Sequence, residues 1–479
     1  MIVLGLSGAV NHDASAALYI DGKLVAAAEE ERFLRDKHAK GKMAYEATRY
    51  CLEQAGIRPD EIDIVAFPYA QIGLQSPARW HYAKRHWYAP DRALTALFSG
   101  NRRYWRNHKN VMKLLDDLGI DSKRVKFVPV EHHLAHASSA YHLSGFLEKT
   151  AIIGIDGKGE YATTFFGYGE NGKIHKIKEF YDPDSLGGVY GAMTEYLGFE
   201  MLDGEFKVMG MAPYGDPNRF DFSRLIHCEN GEFKVNTKLV NTVGFRRYKK
   251  NGKGYFFSPE LIDLGDIIRE TGKVAYAGGV ALNVKLNQRI IAMPGVKELF
   301  VQPASSDAGT AIGAASYASQ LAGVPVEKMD HVYLGPSYTT QQCIEACERY
   351  TQPVSWQYLN DVCADTAKIL ADGNPVAWFQ GRMEFGPRAL GNRSILGSPN
   401  HSGVADRINA QIKYRERWRP FCPSMLDKVA PEILQTDHPS PYMTFTFDVA
   451  ESWKSRIPEV VHEDGTARAQ IVTRATNAR

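Results

Sequence analysis

A three-strand pattern at the start of the chain recurs in its second third. Residues 2–30 read as the apolar segments IVLGLSG, DASAALYI and KLVAAAEE, with an Asp21-Gly22 turn before the third. Residues 152–180 repeat that order as IIGIDG, YATTFFGYG and KIHKIKEF, with an Asn171-Gly172 turn. Asp-Gly and Asn-Gly favour two-residue hairpin turns. The two segments share turn chemistry and length, and they therefore predict a duplicated three-strand meander.

A duplicated meander that opens an α/β unit is typical of the ribonuclease-H-like fold, which actin and the sugar kinases use in two copies. In that architecture nucleotide and metal lie between two lobes. We therefore predict an α/β fold with a bilobal domain over residues 1–330, its lobes at about 1–150 and 151–330. A chance similarity of hairpin composition is the alternative at this point.

Two histidines, His132 and His136, stand one helical turn apart in HHLAHA. Residues at i and i+4 share a helix face, so both imidazoles can bind one ion. Asp156 ends an apolar run before a Gly turn, and Asp307 in QPASSDAG is the candidate fourth ligand. Two imidazoles and two carboxylates suit zinc or manganese. An HxxxH pair alone more often belongs to a surface or hydrogen-bonded helix, so the metal site depends on its surroundings.

Gly-rich turns supply candidate phosphate contacts. Gly278 and Gly279 in AGGVALN follow a strand-like run and permit a tight passage into a helix, whose N-terminus near Asn283 would face phosphate or ribose. Lys207 in KVMGMAPYG would add a point charge. Each turn also fits a purely structural loop.

A new region begins near Tyr333, after a stretch punctuated by Pro and Gly. Its cations Arg388, Lys413, Arg419 and Arg468 are embedded among Gly, Pro and Phe. Guanidinium groups match phosphate or carboxylate oxygens in a bidentate manner. The region therefore predicts a phosphorylated small substrate, with internal salt bridges as the alternative.

Composition narrows the class of protein. The 479 residues, 44% of them apolar, can bury more than one core. A net charge of +2 exerts no overall pull toward nucleic acid or membrane, and no stretch is long enough to span a bilayer. The six cysteines form no CxxC pair, and the N-terminus lacks the basic start of a signal peptide. We expect a cytoplasmic protein with reduced thiols and neither a membrane nor a nucleic-acid partner.

Residues 80–109 interleave basic and aromatic side chains, among them Lys84, Trp87, Arg102 and Trp105. Such a composition can bind single-stranded nucleic acid. Because the chain as a whole is not basic, we favour an inserted helical flap over the substrate cleft. This flap and the loop at residues 245–248 are the regions expected to vary with the substrate.

Motifs along nearly the whole chain resemble, in the same order, those of the ATP-dependent O-carbamoyltransferases, the family of the nodulation-factor, cephamycin and tobramycin enzymes. They are HDASA, AEEERF, HHLAHA, IDG, KVMGMAPYG, AGGVALN, SSDAGTAIGAA, GRMEFGPRALGNRS and RPFCPSML. The resemblance implies a bilobal domain like the universal tRNA threonylcarbamoyl-transfer protein, followed by a YrdC-like α+β domain over residues 331–479.

The resemblance also implies a two-step reaction. A YrdC-like domain joins carbamoyl phosphate to ATP, and the bilobal domain moves the carbamoyl group from carbamoyl-adenylate to a substrate hydroxyl. Lys413, Arg419 and Arg468 fall at the family's carbamoyl-phosphate and ATP contacts, with Arg388 as their companion. Magnesium would accompany ATP.

The same resemblance assigns roles in the bilobal domain. His132, His136, Asp156 and Asp307 match the metal ligands, for which iron is the usual metal. The cofactor contacts are predicted at Lys207, Gly278, Gly279, Asn283, Arg388 and Asp307. His12, beside Asp13, is the candidate general base for the acceptor hydroxyl, and a structural turn histidine is the alternative.

One departure concerns the C-terminal part. Family members generally continue past the DGTAR segment by several tens of residues, whereas this sequence stops at Arg479. We therefore expect an incomplete YrdC-like domain and reduced or absent carbamoyl-adenylate formation by this chain alone. A tRNA threonylcarbamoyl transferase and a non-catalytic partner that binds metal and nucleotide remain alternative functions. The acceptor, expected to be a natural product of secondary metabolism such as an antibiotic, is not fixed by the fold, and a homodimer is one candidate assembly.

Overall fold

The computed structural model describes residues 1–8, 12–87, 89–216, 222–229, 231–237, 239–240, 268 and 270–475. They form a mixed α/β protein that divides into two compact units. Unit 1 comprises Met1–Val208 and Asp216–Met329, and unit 2 comprises Met209–Gly215 and Asp330–Arg479. The loop at residues 245–248, expected to vary with the substrate, lies outside the described residues.

The described residues of the first half of unit 1 form one sheet and six α-helices. Its strands are β1 (Ile2–Leu6), β2 (Ser15–Ile20), β3 (Lys23–Glu29), β4 (Ile64–Phe67) and β5 (Lys126–Pro129), and its helices are α1 (Glu31–Leu34), α2 (Tyr45–Ala55), α3 (Pro77–Arg85), α4 (Pro90–Ser99), α5 (Arg102–Asp117) and α6 (His132–Ser144). The strand order is β3-β2-β1-β4-β5. The first three strands form an antiparallel meander, and β4 and β5 extend it in parallel.

The second half of unit 1 repeats this arrangement. Its strands are β6 (Thr150–Ile155), β7 (Ala162–Glu170), β8 (Lys173–Tyr181), β9 (Ile226–Glu229), β10 (Glu232–Val235), β11 (Lys273–Ala277) and β12 (Glu298–Val301), and its helices are α7 (Leu186–Tyr196), α8 (Glu205–Met211), α9 (Val284–Ile291) and α10 (Gly309–Leu321). The sheet order β8-β7-β6-β11-β12 again joins a meander to two parallel strands. The predicted duplicated meander is confirmed, and each copy is two strands longer than the sequence pattern showed.

The hairpin turns of the two meanders have the same backbone geometry. In the first turn φ is 48° at Asp21 and 84° at Gly22, and in the second it is 51° at Asn171 and 74° at Gly172. Two successive positive φ angles characterise the type I′ turn, whose twist matches that of the flanking strands. Asp-Gly and Asn-Gly tolerate this backbone, which explains why the turn chemistry recurs.

Each half of unit 1 ends in a helix that packs on the sheet of the other half. Ala137 and Ala140 of α6 share a buried cluster with Ile152 of the second sheet, whereas α10 lies on β1, β2 and β4. The helices also pack on each other so closely that a Cβ atom at Gly313 would lie 1.8 Å from the carbonyl oxygen of Ala135. Small residues along both helices therefore allow the two halves to share one core.

Residues 77–117, which contain the predicted helical flap, form helices α3, α4 and α5. Ser76 caps α3 by accepting a hydrogen bond from the backbone N–H of Ala78, and Pro77 occupies the first turn. Proline at this position costs no helical hydrogen bond. The helical nature of this insertion is confirmed, whereas its role over a cleft stays a prediction.

Unit 2 has little sheet structure. Its strands are β13 (Val376–Phe379), β14 (Arg393–Leu396), β15 (Ser424–Leu426), β16 (Phe447–Asp448), β17 (Thr466–Ala467) and β18 (Gln470–Val472), and its helices are α11 (Thr340–Arg349), α12 (Val362–Ala371), α13 (Val404–Arg407), α14 (Ala430–Leu434), α15 (Glu451–Lys454) and a π-helix at Ile408–Lys413. Within the described residues the strands pair only in twos. The six cysteines are free thiols. None of the helices described for the chain has the length and apolar character needed to cross a membrane.

Candidate metal centre and anion site

The predicted metal ligands converge in unit 1. Nε2 of His132 lies 3.2 Å from Nε2 of His136, 3.3 Å from Oδ2 of Asp156 and 3.4 Å from Oδ1 of Asp307. Nε2 of His136 lies 3.8 Å from the same Asp156 oxygen and 3.7 Å from the same Asp307 oxygen. One donor atom from each of the four side chains therefore points at a common centre.

This donor set fits a metal ion that takes four ligands from the protein and has room for a further ligand from a substrate. Bonds of 2.0–2.2 Å to imidazole nitrogen and carboxylate oxygen place neighbouring tetrahedral ligands about 3.4 Å apart. The distances among the four donor atoms bracket that value, and all four atoms lie within 4.8 Å of one another. Both histidine rings are almost fully buried. The geometry agrees with a metal held by His132, His136, Asp156 and Asp307.

A glycine turn fixes one of the carboxylates. The backbone N–H of Gly279 donates to Oδ1 of Asp156 over 3.0 Å, so Oδ2 is left to face the histidines. At Gly278, where φ is 93°, a Cβ atom would lie 2.3 Å from the carbonyl oxygen of Ile155. The two predicted nucleotide-contact glycines thus bring the end of β11 against the end of β6, where they orient a metal ligand.

The other predicted cofactor contacts lie elsewhere in unit 1. Oδ1 of Asn283 accepts hydrogen bonds from the backbone N–H groups of Lys285 and Leu286, and so caps α9. Nζ of Lys207 lies 5.3 Å from the centre of the Phe199 ring. Their nucleotide contacts stay predictions.

A row of neighbouring imidazole and carboxylate side chains extends from the metal centre. Nε2 of His12 lies 3.9 Å from Oδ2 of Asp307, and its Nδ1 is hydrogen-bonded to Asp13 over 3.1 Å. The other oxygen of Asp13 lies 2.7 Å from Nδ1 of His38, whose Nε2 lies 3.3 Å from Asp203. The sequence identified His12 and Asp13 but missed His38 and Asp203, because only the fold brings them together.

Backbone geometry also holds this row of side chains in place. The N–H of Asp13 donates to the carbonyl oxygen of His38 over 2.7 Å. Both residues have positive φ angles, 57° at Asp13 and 63° at His38. The left-handed region costs non-glycine residues free energy unless surrounding contacts compensate for it. The paired loops therefore present both side chains in one defined arrangement.

The largely buried carboxylates of the centre attract positive charge. Burial would lower the pKa of His132, but Asp307 and Asp156 hold it well above its ordinary value. Burial would raise the pKa of Asp156, but His132 and His136 hold it well below. Burial likewise opposes a charged His12, whereas Asp307 and Asp13 raise its pKa to about 9. A cation bound by the carboxylates would oppose these effects and favour neutral imidazoles.

Glu160 supports the metal centre and was not identified from the sequence. Its carboxylate accepts from the backbone N–H of Ala70 over 2.8 Å and from that of His132 over 3.3 Å. Burial raises the pKa of Glu160. Glu160 therefore holds the first turn of α6, which carries the metal histidines, against the loop after β4. Its place in the β6–β7 loop gives no sequence signal for this contact.

Five cations of unit 2 act on one another: Arg388, Lys413, Arg415, Arg419 and Arg468. Burial and the neighbouring Arg468 lower the pKa of Arg388 to about 9. Burial and the neighbouring Arg419 lower the pKa of Arg415 to about 10, and burial, Arg415 and Arg419 lower that of Lys413. Like charges within a few ångströms cause such shifts. Within the described residues none of Lys413, Arg415, Arg419 and Arg468 has a carboxylate within salt-bridge distance, so an anion would relieve their repulsion.

Three neighbouring residues hold two arginines of this cationic group. The Arg415 guanidinium lies 4.5 Å from the centre of the Phe421 ring, and its Nε donates to Oδ1 of Asn409 over 2.5 Å. Nε of Arg468 donates to Sγ of Cys422 over 2.9 Å. Both arginines are thus held by neutral partners, which leaves their charge uncompensated.

Glu384 organises the GRMEFGPRALGNRS segment, a role that the sequence did not indicate. Its Oε1 accepts from the backbone N–H groups of Leu390, Asn392 and Arg393 over 2.6, 2.9 and 3.3 Å. Its Oε2 lies 3.2 Å from Nε of Arg393. The segment thus satisfies Arg393 internally, and Arg388 from the same segment lies in the cationic group.

A cavity of about 330 Å³ lies within unit 2. Arg419, Phe421 and Tyr214 of the KVMGMAPYG motif form part of its wall. The volume is in the range of small-molecule sites.

Comparison with known proteins identifies the family. The profile described as Carbamoyltransferase N-terminus matches residues 2–261 and 254–316, and that described as Carbamoyltransferase C-terminus matches residues 367–479. This chain belongs to the carbamoyltransferase family. The resemblance inferred from its motifs is confirmed.

Relatives of this carbamoyltransferase include nodulation proteins. Nodulation protein NolNO of Sinorhizobium fredii is 34% identical over 524 residues, covering 100% of this chain and 74% of that protein. Nodulation protein NolO of Bradyrhizobium diazoefficiens is 36% identical over 377 residues, covering 73% of this chain and 68% of that protein. A solved structure of full-length HypF in its phosphate- and nucleotide-bound form is 14% identical with a TM-score of 0.32, covering 67% of this chain and 55% of that one.

Proposed function

We propose that this carbamoyltransferase moves a carbamoyl group from carbamoyl phosphate, by way of carbamoyl-adenylate made with ATP, to a hydroxyl of a small-molecule natural product. The observation that carries the proposal is the convergence of His132, His136, Asp156 and Asp307 beside the His12–Asp13 pair. Unit 1 would be the ribonuclease-H-like transfer domain and unit 2 the YrdC-like activation domain.

The metal would be iron, with manganese or zinc compatible with the same ligands. When bound, it supplies a fixed positive charge that binds an anionic phosphate group and stabilises negative charge during transfer. The protein contributes four ligands from three separate segments, and Gly279 orients one of them.

His12 would act as the general base that takes the proton of the acceptor hydroxyl. Asp13 holds its Nδ1 and fixes the tautomer. A cation bound to Asp307 would offset the main charge that raises the pKa of His12, and so would leave Nε2 as the proton acceptor. Nε2 faces the metal centre, because Asp307 lies 3.9 Å away. The hydroxyl oxygen would then attack the carbamoyl carbon, and AMP would leave with the bonding electrons of the cleaved C–O bond.

The cations of unit 2 would bind the anionic substrates of the first step, with magnesium accompanying ATP. Arg388, Lys413, Arg419 and Arg468 would hold the oxygens of carbamoyl phosphate and of the ATP phosphates. Their repulsion falls when an anion enters, and their charge neutralises the phosphate and pyrophosphate that leave. These roles rest on the family resemblance together with the observed grouping of charge.

The two steps can be tested separately in the 479-residue chain. Activation is measured as pyrophosphate release from ATP and carbamoyl phosphate. Transfer is measured as radiolabelled carbamoyl moved from added carbamoyl-adenylate to a hydroxyl-bearing acceptor, so it is scored even where activation is weak. Arg468→Ala should lose the first reaction, whereas His136→Ala should retain it and lose the second. Loss of transfer from added carbamoyl-adenylate in Arg468→Ala, or loss of pyrophosphate release in His136→Ala, would contradict the division of labour.

The acceptor class is tested in the same assay. Label on an oligosaccharide or aminoglycoside in preference to tRNA supports the proposal. Label on tRNA alone would favour a threonylcarbamoyl-type transferase. Calorimetric binding of ATP without turnover on any acceptor would favour a non-catalytic partner.

A further inference from the structure

Positive charge is concentrated in one segment of the chain. Residues 76–113 contain nine Lys or Arg residues and one acidic residue, Asp91, whereas the whole chain has 57 basic and 55 acidic residues. The net charge of the whole chain, from which we predicted no membrane partner, is therefore near neutral although this segment is strongly basic. This region coincides with helices α3, α4 and α5.

Only some side chains of these helices point inward and contact the rest of unit 1. Ala78 and Tyr82 of α3 pack with Ala96 of α4 over Tyr161. Arg85 is paired with Asp184, and Arg103 donates to the hydroxyl of Tyr69. The inward residues thus attach the helices to the body of unit 1.

The outer faces carry large apolar side chains that the structure leaves in solvent. The exposed fraction is 56% for Trp80, 68% for Trp87, 54% for Leu94, 76% for Phe98 and 56% for Trp105. Trp80 lies on α3, Trp87 follows the C-terminal end of that helix, and Leu94 and Phe98 lie on one face of α4. Because α3 and α4 pack together, these four exposed side chains belong to one packed helical layer.

Exposed cations accompany these apolar side chains. They are Lys84 on α3 and Arg102, Arg106, Lys109 and Lys113 on α5. Arg102, Trp105, Arg106 and Lys109 recur at the spacing of a single helix face. Over the part of the chain that the structure describes, none of the five cations forms an ion pair with a carboxylate. The charge is therefore directed outward.

We propose that the outer face of α3–α5, formed by these five apolar and five basic side chains, docks on an anionic phospholipid surface. Tryptophan is favoured at the boundary between headgroups and acyl chains, and Leu and Phe enter the apolar layer beneath it. Lysine and arginine beside them bind the headgroup phosphates. The inference goes beyond the proposed carbamoyl transfer and does not depend on it.

The alternative occupant is a single-stranded nucleic acid, which also binds basic and aromatic surfaces. Bases stack on aromatic rings but gain little from aliphatic side chains. Here Leu94 and the 52%-exposed Leu74 are aliphatic, and Leu74 lies beside Trp80, whose Nε1–H donates to the carbonyl oxygen of Leu74. The mixture of aliphatic, aromatic and basic groups therefore favours a lipid surface.

The test is co-sedimentation of the full chain with vesicles of phosphatidylglycerol in phosphatidylcholine, against vesicles of phosphatidylcholine alone. We expect binding to the anionic vesicles that weakens as salt is raised. Trp87→Ala with Phe98→Ala, and separately Arg106→Glu with Lys109→Glu, should each weaken binding about tenfold or more. Trp356→Ala with Lys368→Glu, at exposed positions of unit 2, is the matched control and should bind as the unsubstituted chain does.

Circular dichroism establishes that each variant is folded before its binding is scored. The proposal is overturned if the unsubstituted chain stays in the supernatant with anionic vesicles, or if both double variants sediment as it does. It is also overturned if a single-stranded oligonucleotide binds at the same salt concentration more tightly than the vesicles and loses binding in the same variants. That last result would assign the surface to nucleic acid.

Discussion

The backbone N–H of Gly279 holds one oxygen of Asp156, and the other oxygen of that carboxylate faces the two metal histidines. The metal geometry is thus determined by a residue that has no side chain. A Cβ atom at Gly279 would lie 2.8 Å from Oδ1 of Asp156, closer than a carbon and an oxygen approach without displacement.

Gly279→Ala should lower metal affinity about 10- to 100-fold, because the displaced carboxylate loses its orientation. Competition titration against a chromogenic chelator measures this change. Gly157→Ala is the control, since an added Cβ there would meet no heavy atom within 4 Å. Equal metal affinities for the two variants would show that the Gly279 contact does not orient the ligand.

His136→Ala should abolish metal retention and carbamoyl transfer together. The ring is fully buried and supplies one of four converging donor atoms, so its loss leaves a three-ligand site beside an apolar cavity. Elemental analysis of the purified protein gives the metal content. His401→Ala, at an exposed position of unit 2, should retain full occupancy. Full metal occupancy in His136→Ala would contradict the assignment of His136 as a metal ligand.

His38 should act as a positioning residue through Asp13. His38→Ala should lower kcat for carbamoyl transfer about tenfold, with metal content and KM for the acceptor little changed, because Asp13 loses one of its two imidazole partners. His38→Asn should recover part of the rate, since asparagine tolerates positive φ and retains a hydrogen-bond donor. A loss of metal in both variants would instead indicate a structural role.

Phosphate binding by unit 2 should depend on Arg468. Arg468→Ala is expected to weaken the binding of inorganic pyrophosphate about tenfold, because a charge-assisted contact is removed from the cationic group. Isothermal titration calorimetry measures the change, with Arg349→Ala as a control because that exposed arginine is paired with Glu345. An unchanged dissociation constant would remove Arg468 from the anion site.

Acid should destabilise unit 1 through His142. Burial lowers the pKa of His142 to about 4 from an ordinary 6.5, so the folded state keeps the ring neutral. Its contribution is fully present above pH 6.5 and is lost as the pH falls toward 4, where protonation favours the unfolded chain, by up to about 3 kcal/mol. His142→Gln should therefore show a shallower loss of stability over that range in urea unfolding. If the free energy of unfolding falls with pH equally in His142→Gln and in the unsubstituted chain, His142 is not the group responsible.

The sequence predicted the features that depend on residues close to one another along the chain. The meanders are defined by alternating apolar residues and by Asp-Gly and Asn-Gly turns, and the metal histidines by helical spacing. His38, Glu160 and Glu384 were missed because each acts on a partner brought near by the fold: Asp13, the first turn of α6, and the 390–393 backbone. Such contacts leave no periodic or turn signal in the residues around them.

The basic segment was interpreted correctly as helical, but its outer surface could not be predicted. Trp80 and Tyr82 are near neighbours in sequence and of similar chemistry, yet Trp80 is 56% exposed whereas Tyr82 is buried. Which aromatic side chains pack and which remain in solvent depends on how α3 and α4 meet Tyr161.

The exchange of α6 and α10 between the two sheets has a consequence for how unit 1 can be assembled. Each half supplies a helix that packs on the other half's sheet. A separated half would therefore expose one face of its sheet and the apolar side of its helix to solvent. Two identical halves could satisfy each other by trading these helices, as swapped protomers do. The duplicated chain is in this sense a covalently joined dimer, and its two halves should fold and unfold as one cooperative body.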